Sequence, residues 1–218
     1  MRLYSYYRSS AAYRVRIALC LKKLSYDYVP VHLLRHGGEQ LLPTYHALNP
    51  DGVVPVFIDD EGHAIQQSLA IIEYLEETHP EPPLLPRHAL DRAWVRSLAL
   101  QIACEIHPLN NLRPLKYLKD AFGLSDDAKD AWYRHWIELG FTSLEQRLAS
   151  DARTGAFCYG DTPTLADAFL IPQVYNAQRF HIDVARYPTI QSINARAMTL
   201  DAFIAASPEK QIDAEQEA

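Results

Sequence analysis

The chain is short of cysteine, of positive charge and of long apolar runs, and each shortage excludes something. Its 218 residues hold 3 Cys, at positions 20, 104 and 158, too far apart for a Cys-x-x-Cys redox pair or a zinc ribbon. Cys20 sits among apolar neighbours in Ile17-Ala18-Leu19-Cys20-Leu21, as a buried structural thiol would. Lys and Arg number 21 against 27 Asp and Glu, a net charge of −6. No excess of cations is left to neutralise phosphates, so nucleic acid is not an expected partner. No apolar run approaches the ~20 residues of a bilayer span, and Met1 to Tyr7 lacks the apolar stretch of a signal peptide. A cytoplasmic location without membrane contact is the expectation.

The 8 Gly include no Gly-x-Gly and no Gly-Lys-Ser/Thr, which removes the dinucleotide fingerprint and the phosphate loop. None of the 9 His falls in a His-Glu-x-x-His pattern, and no metal centre is expected. If the protein is an enzyme, its reactive group should arrive with a ligand.

What is present is a change of periodicity along the chain. Leu3 to Tyr7 reads as a strand, Arg14 to Lys23 as a helix with Val15, Ala18 and Leu19 on its apolar face, and Tyr28 to Leu33 as an edge strand carrying Pro30. After a loop at Arg35 to Gln40 and a short helical stretch, the turn Asn49-Pro50-Asp51-Gly52 precedes a strand at Val53 to Ile58. Asp60-Glu61-Gly62 can close a hairpin onto Ala64-Ile65, and Ser68 offers an N-cap for a helix from Leu69 to Glu77. The order is β-α-β-α-β-β-α over residues 1–80.

Prolines 80, 82, 83 and 86 mark a linker at 79–88, and no strand pattern returns after it. Residues 88–218 read as an all-α domain, with long helices from Ala89 to Leu118, interrupted near Pro108 and Pro114, and from Asp126 to Leu148. Thr164-Leu165-Ala166-Asp167 has the form of a capping box ahead of an apolar helix. The polar tail from Pro208 to Ala218 is expected to fray.

Arg8-Ser9-Ser10-Ala11-Ala12-Tyr13-Arg14-Val15-Arg16-Ile17 resembles the signature of zeta-class glutathione transferases. Gln67 to Glu76, Ile106 to Leu112 and Ile171 to Phe180 extend the likeness over nearly the whole chain, and within the class it is greatest to maleylacetoacetate and maleylpyruvate isomerases. The resemblance implies a glutathione transferase fold, an α/β thioredoxin-like N-terminal domain followed by the all-α domain, with a cis Val54-Pro55 bond and a homodimeric assembly. It also implies an activity in the breakdown of aromatic compounds: glutathione-dependent cis-trans isomerisation of a maleyl-keto diacid. Two alternatives stay open at this point, a conjugating transferase and a non-catalytic binding module on the same fold.

The family signature commonly reads Ser-Ser-Cys where this chain has Ser9-Ser10-Ala11, so a mechanism needing a protein thiol there is excluded. Glutathione brings its own thiol, to which Ser9 or Ser10 can donate a hydrogen bond. A free thiol ionises near pH ~8.5, and each unit of depression represents ~1.4 kcal/mol. A charge-assisted hydrogen bond (~1.5–3 kcal/mol) and a helix N-terminus (~0.3–1 kcal/mol) together reach the neutral range. Plain helix capping is the competing reading for both serines, and the resemblance favours Ser9 as the catalytic one.

Gln67 and Ser68, ahead of a helix, can hold the glutamyl end of glutathione, although capping alone would also account for Ser68. By resemblance Gln40, Val54, His107, Asn111 and Arg113 border the same cofactor, His107 reading equally well as a core histidine. Arg8 and Arg179 are the candidates to grip the carboxylates of the diacid. Arg14 and Arg16 read as solvated surface charges.

Overall fold

The computed structural model describes residues 1–215. The chain falls into two compact units, the first formed by Met1–Leu84 together with the chain from Thr199 on, the second by Leu85–Met198. Among the described residues no helix is long and apolar enough to cross a membrane.

In the first unit, β1 (Arg2–Ser5), α1 (Ser10–Leu21) and β2 (Asp27–Pro30) form a parallel crossover in which Leu3 lies opposite Tyr28. Two 3-10 turns and α2 (Pro43–His46) lead to β3 (Val56–Ile58), antiparallel to β1 with Leu3 facing Phe57, and to β4 (Ala64–Gln66). The sheet order is β2-β1-β3-β4, and α3 (Ser68–Thr78) follows. The Val54–Pro55 bond is cis, as expected. Strands are shorter than the apolar runs because some of their backbone is used elsewhere. The Tyr6 carbonyl accepts the Ser9 amide at 2.9 Å, and the Val53 carbonyl accepts the Tyr45 hydroxyl at 2.7 Å and the Asn49 amide at 2.8 Å.

The second unit is helical: α4 (Ala89–Leu100), α5 (His107–Asn110), α6 (Leu112–Phe122), α7 (Asp126–Ser150), α8 (Leu165–Arg179) and α9 (Pro188–Ala197). Between α4 and α5 lies a π turn, Gln101–Ile106, in which the His107 amide reaches back to the Ile102 carbonyl. The helical run is interrupted near Pro108 and Pro114 as expected, at Asn111 between them rather than at either proline. Both prolines lie in first turns, where no intrahelical partner for the missing N–H is needed, and Asn111 is extended. At Gly140 of α7 a Cβ would collide with the Ile106 side chain, so glycine is required where α7 crosses the π turn. The Thr164 box forms: its amide and hydroxyl donate to Asp167 Oδ2 at 2.7 and 2.9 Å, and the Cys158 amide donates to Oδ1 at 2.9 Å.

The last helix, α10 (Asp201–Ala206), packs on α1 of the first unit, which corrects the assignment of all of 88–218 to the helical domain. The reading of Arg14 and Arg16 as surface charges is also corrected: they are buried at 2% and 0% exposure, Arg14 donating to Ser68 at the start of α3 and Arg16 to the Ala206 carbonyl of α10. Cys20 is only partly buried. The tail is not frayed as far as it is described. Asp213 Oδ2 accepts the Tyr7 amide at 3.1 Å, and Glu215 pairs with Arg35 at 2.9 Å; residues 216–218 of that expectation lie outside the described residues.

The stretch after α3 is also held. Lys22, with a fully buried side chain, pairs with Glu76 at 2.7 Å and donates to the His79 and Pro82 carbonyls at 2.7 and 3.1 Å. Glu76 in turn accepts the Leu84 amide at 3.1 and 3.0 Å.

Candidate active site

Ser9 has an extended backbone and caps α1, its Oγ accepting the Ala12 amide at 3.2 Å. A hydroxyl that accepts a cap bond keeps its own proton to donate. Ser9 is partly exposed and Ser10 is buried, so access separates two serines that sequence alone leaves equivalent. Beside them Arg8 is half-buried. Its Nη2 donates to the Tyr6 hydroxyl at 3.2 Å, and its guanidinium carbon lies 5.3 Å from the centre of the Tyr7 ring.

Val54 is buried in an apolar cluster with Tyr6, Tyr7, Val31, Tyr45, Val56 and Ile58. One unit thus gathers the Ser9 turn and the Val54 segment around shared aromatic rings. Gln40, in the 3-10 turn after Gly38, is buried and its Oε1 has no hydrogen-bond partner. Gly38 has φ +112°, and a Cβ there would meet the Gln40 amide at 2.7 to 2.9 Å, so glycine leaves room for that side chain.

Gln67, not Ser68, occupies the cap position of α3, with φ 68°, and it makes no side-chain cap bond. A left-handed backbone at a non-glycine residue is uncommon and favours a functional reading. Ser68 is the first helical residue, buried, and its Oγ accepts from Arg14 Nη1 at 3.3 Å. The start of α3 therefore combines uncapped amides with a buried guanidinium, a donor set suited to a carboxylate. Together with the orphaned Gln40 oxygen and the partly exposed Ser9, it fits a tripeptide that carries a thiol, carboxylates and amide groups.

The second unit holds His107, Asn111, Arg113 and Arg179. His107 is partly exposed, which removes the reading as a fully buried core histidine. Asn111 caps α6, its Oδ1 accepting the Arg113 amide at 3.1 Å. The Arg113 and Arg179 side chains are exposed. Arg179, at the end of α8, lies 5.6 Å from the Phe180 ring, which stacks on Tyr133 at 3.6 Å and 9°. The Tyr133 carbonyl accepts the Asn110 amide at 3.0 Å, and the Leu109 carbonyl accepts the Trp132 indole N–H at 2.8 Å. A chain of contacts thus links Arg179 to the helix that precedes Asn111. Burial pushes the Tyr133 hydroxyl up to about 12 against the pull of the Arg179 charge, so Tyr133 stays neutral beside that charge.

Sequence reading missed Arg14, Arg16, Tyr133 and Asp213. Two guanidinium groups inside the apolar run of α1 were the available signal.

The profile of the glutathione S-transferase N-terminal domain matches residues 3–83. A probable maleylacetoacetate isomerase of Vibrio cholerae is 54% identical over 212 residues, 97% of each chain. Among solved structures, a bacterial zeta-class maleylpyruvate isomerase is 46% identical with a TM-score of 0.95, covering 99% of this chain and 100% of the other. A maleylacetoacetate isomerase from Methylobacterium extorquens AM1, holding malonate and glutathione, is 41% identical with a TM-score of 0.95 and the same coverage. With this likeness over its full described length, and with the serine turn and the α3 start in place, the chain belongs to the zeta-class glutathione transferases, in the maleylacetoacetate and maleylpyruvate isomerase group.

Proposed function

We propose that the protein is a glutathione-dependent isomerase that converts a maleyl-keto diacid, maleylacetoacetate or maleylpyruvate, to its fumaryl isomer. The observation that carries this reading is the cap of α1, where a partly exposed Ser9 has its hydroxyl lone pair engaged by the Ala12 amide and Arg8 stands immediately before it in the turn. Glutathione, when bound, supplies a thiol that adds reversibly to the cis double bond and frees rotation about it.

The protein's own groups do the rest. The Ser9 O–H donates to the sulfur position and, with the positive end of α1, favours the ionised thiol. Gln67, Ser68 and the buried Arg14 charge hold the glutamyl carboxylate, with Gln40, Val54, His107, Asn111 and Arg113 as further contacts. Arg8 and Arg179 hold the carboxylates of the diacid, where a planar guanidinium matches carboxylate geometry. The diacid assignment is supported by the Methylobacterium relative, whose structure holds malonate, itself a dicarboxylate, as well as glutathione. A homodimer in the cytoplasm completes the proposal, and sedimentation giving only monomer at micromolar concentration would refute the assembly.

The test is an absorbance assay of both diacids with and without glutathione. Turnover that requires glutathione and leaves its concentration unchanged supports isomerisation, whereas stoichiometric consumption assigns the site to conjugation. Ser9→Ala should lower kcat by about 10²-fold, the loss of one donor aimed at developing charge, and Ser10→Ala by less. Equal small effects would move the donor elsewhere. Arg179→Met should raise KM for the diacid with glutathione binding retained, and the reverse result would place Arg179 at the cofactor.

A further inference from the structure

The turn that carries Arg8 and Ser9 is clamped from outside itself. Tyr7, two residues before Ser9, is buried, and both its backbone polar groups are met by distant side chains: its N–H donates to Asp213 Oδ2 at 3.1 Å, and its carbonyl accepts Arg16 Nη2 at 2.9 Å. The same guanidinium reaches the Tyr6 carbonyl at 3.4 Å, Ser5 Oγ at 3.1 Å and the Ala206 carbonyl at 2.9 Å. The other Asp213 oxygen accepts the Tyr28 hydroxyl at 2.7 Å.

The residues after Asp213 extend the clamp. Ala214 packs against the cluster that contains Tyr6, Tyr7 and Val54. Glu215 accepts from Arg35 Nη2 at 2.9 Å and meets His32 Nε2 at 3.1 Å. The His32 Nδ1 accepts the Leu34 and Arg35 amides, so its Nε2 carries the proton and donates. A segment that composition marks as a loose tail is thereby tied to the strand and loop beside the serine turn.

We infer that Asp213 is a positioning residue for thiol ionisation: with Arg16 it fixes the two peptide groups that flank Tyr7, the first on an anion and the second on a cation, and so fixes where the Ser9 hydroxyl points. The turn from Tyr6 to Ser9 is closed by the Ser9 amide on the Tyr6 carbonyl at 2.9 Å. The Tyr6 carbonyl and the Tyr7 N–H belong to one peptide group, so rotation of that group would move Ser9 as well. An error of about an ångström in such a group costs as much as ~10²-fold in rate. The inference rests on the reading of Ser9 as the sulfur contact, and the experiment separates the two.

The measurement is the pH titration of bound glutathione thiolate by its ultraviolet absorbance, with kcat, KM and thermal midpoint, for Ser9→Ala, Asp213→Ala and Asp213→Asn. Asp213→Ala should raise the pH at which the bound thiol ionises and lower kcat about tenfold, with KM for glutathione within about threefold. Asp213→Asn keeps an oxygen for the Tyr7 amide and should recover most of both. A lowered thermal midpoint with an unchanged thiol titration and kcat would overturn the inference and leave Asp213 a purely structural residue. If Ser9→Ala leaves the thiol titration unchanged while Asp213→Ala shifts it, Ser9 is not the donor, yet the clamp stands as the device that positions another group of the turn. Should the Ala variant fail to fold, Asp213→Ser, whose shorter side chain cannot reach both the Tyr7 amide and the Tyr28 hydroxyl, takes its place: it must shift the thiol titration, and no shift at all overturns the inference.

Discussion

The two units satisfy their buried backbone by different means. In the first, Arg16 and Lys22 are buried cations that donate to carbonyls outside regular ladders, those of the irregular chain at Tyr6, Tyr7, His79 and Pro82 and that of Ala206 at the end of α10. In the second, helices meet their own carbonyls, and Arg153 and Arg186 form ion pairs at or near the surface. A small sheet with long connections leaves many polar groups that no ladder reaches, and a buried group without a partner is costly. Long basic side chains fill that need where the backbone is irregular, and the serine turn is one of the places they fill it.

The comparison breaks most visibly if Lys22 is removed. Lys22→Met leaves the buried Glu76 carboxylate without its cation and should cost about 3–5 kcal/mol, read from urea unfolding. The double variant Lys22→Met/Glu76→Leu should be less damaged than the single one. A single-variant loss below ~1 kcal/mol would mean the segment up to Leu84 is held by packing alone.

A smaller effect is expected where the second unit departs from its own rule. Asp167 is its buried carboxylate, pushed upward by burial and drawn back by the amides of Cys158 and Thr164. Asp167→Ala should cost about 1–3 kcal/mol through loss of a cap and an unpaired amide. A loss equal to that of Lys22→Met would erase the distinction between the units.

The smallest concerns Asp151, whose carboxyl is held at about 2 by hydrogen bonds from the Arg153 side chain and amide. A depressed carboxylate contributes stability that is present above the unfolded value of ~3.9 and is lost as pH falls through the folded value. The gap in urea midpoint between wild type and Asp151→Asn should therefore be small at neutral pH and close between pH ~4 and about 2. A gap that persists in stronger acid would assign the contact to packing.

Local periodicity carried much of the fold: Leu3 and Val56 mark strands, and the Thr164 box marks a helix start. It failed where distant chain supplies the environment. Arg16 lies on what reads as the polar face of α1, but α10 covers that face, with its partner carbonyl 190 residues away. Asp213 is one acid in an acidic tail, and nothing local says that the Tyr7 amide awaits it. At the site, Ser9, Ser10 and Ser68 were legible because helix starts have a residue signature, while the choice of Ser9 over Ser10 came from the family resemblance. The difference in access between the two serines, and the left-handed backbone at Gln67, appear only in three dimensions.

The π turn at Gln101–Ile106 bears on how this chain can vary in length. Such a turn holds one residue more than an α-helix needs over the same rise. Deleting a single residue there would let α4 run regularly into α5 with the elements after it facing as before, whereas deleting one from the regular part of α4 would rotate everything after it by about 100° about the helix axis. His107 and Asn111 would then face a different direction, and Ile106 would leave the notch that Gly140 provides. One-residue deletions should therefore be excluded from the regular turns of α4 and tolerated within residues 101–106, and a library of such deletions selected for activity should be populated there and empty across Ala89–Leu100.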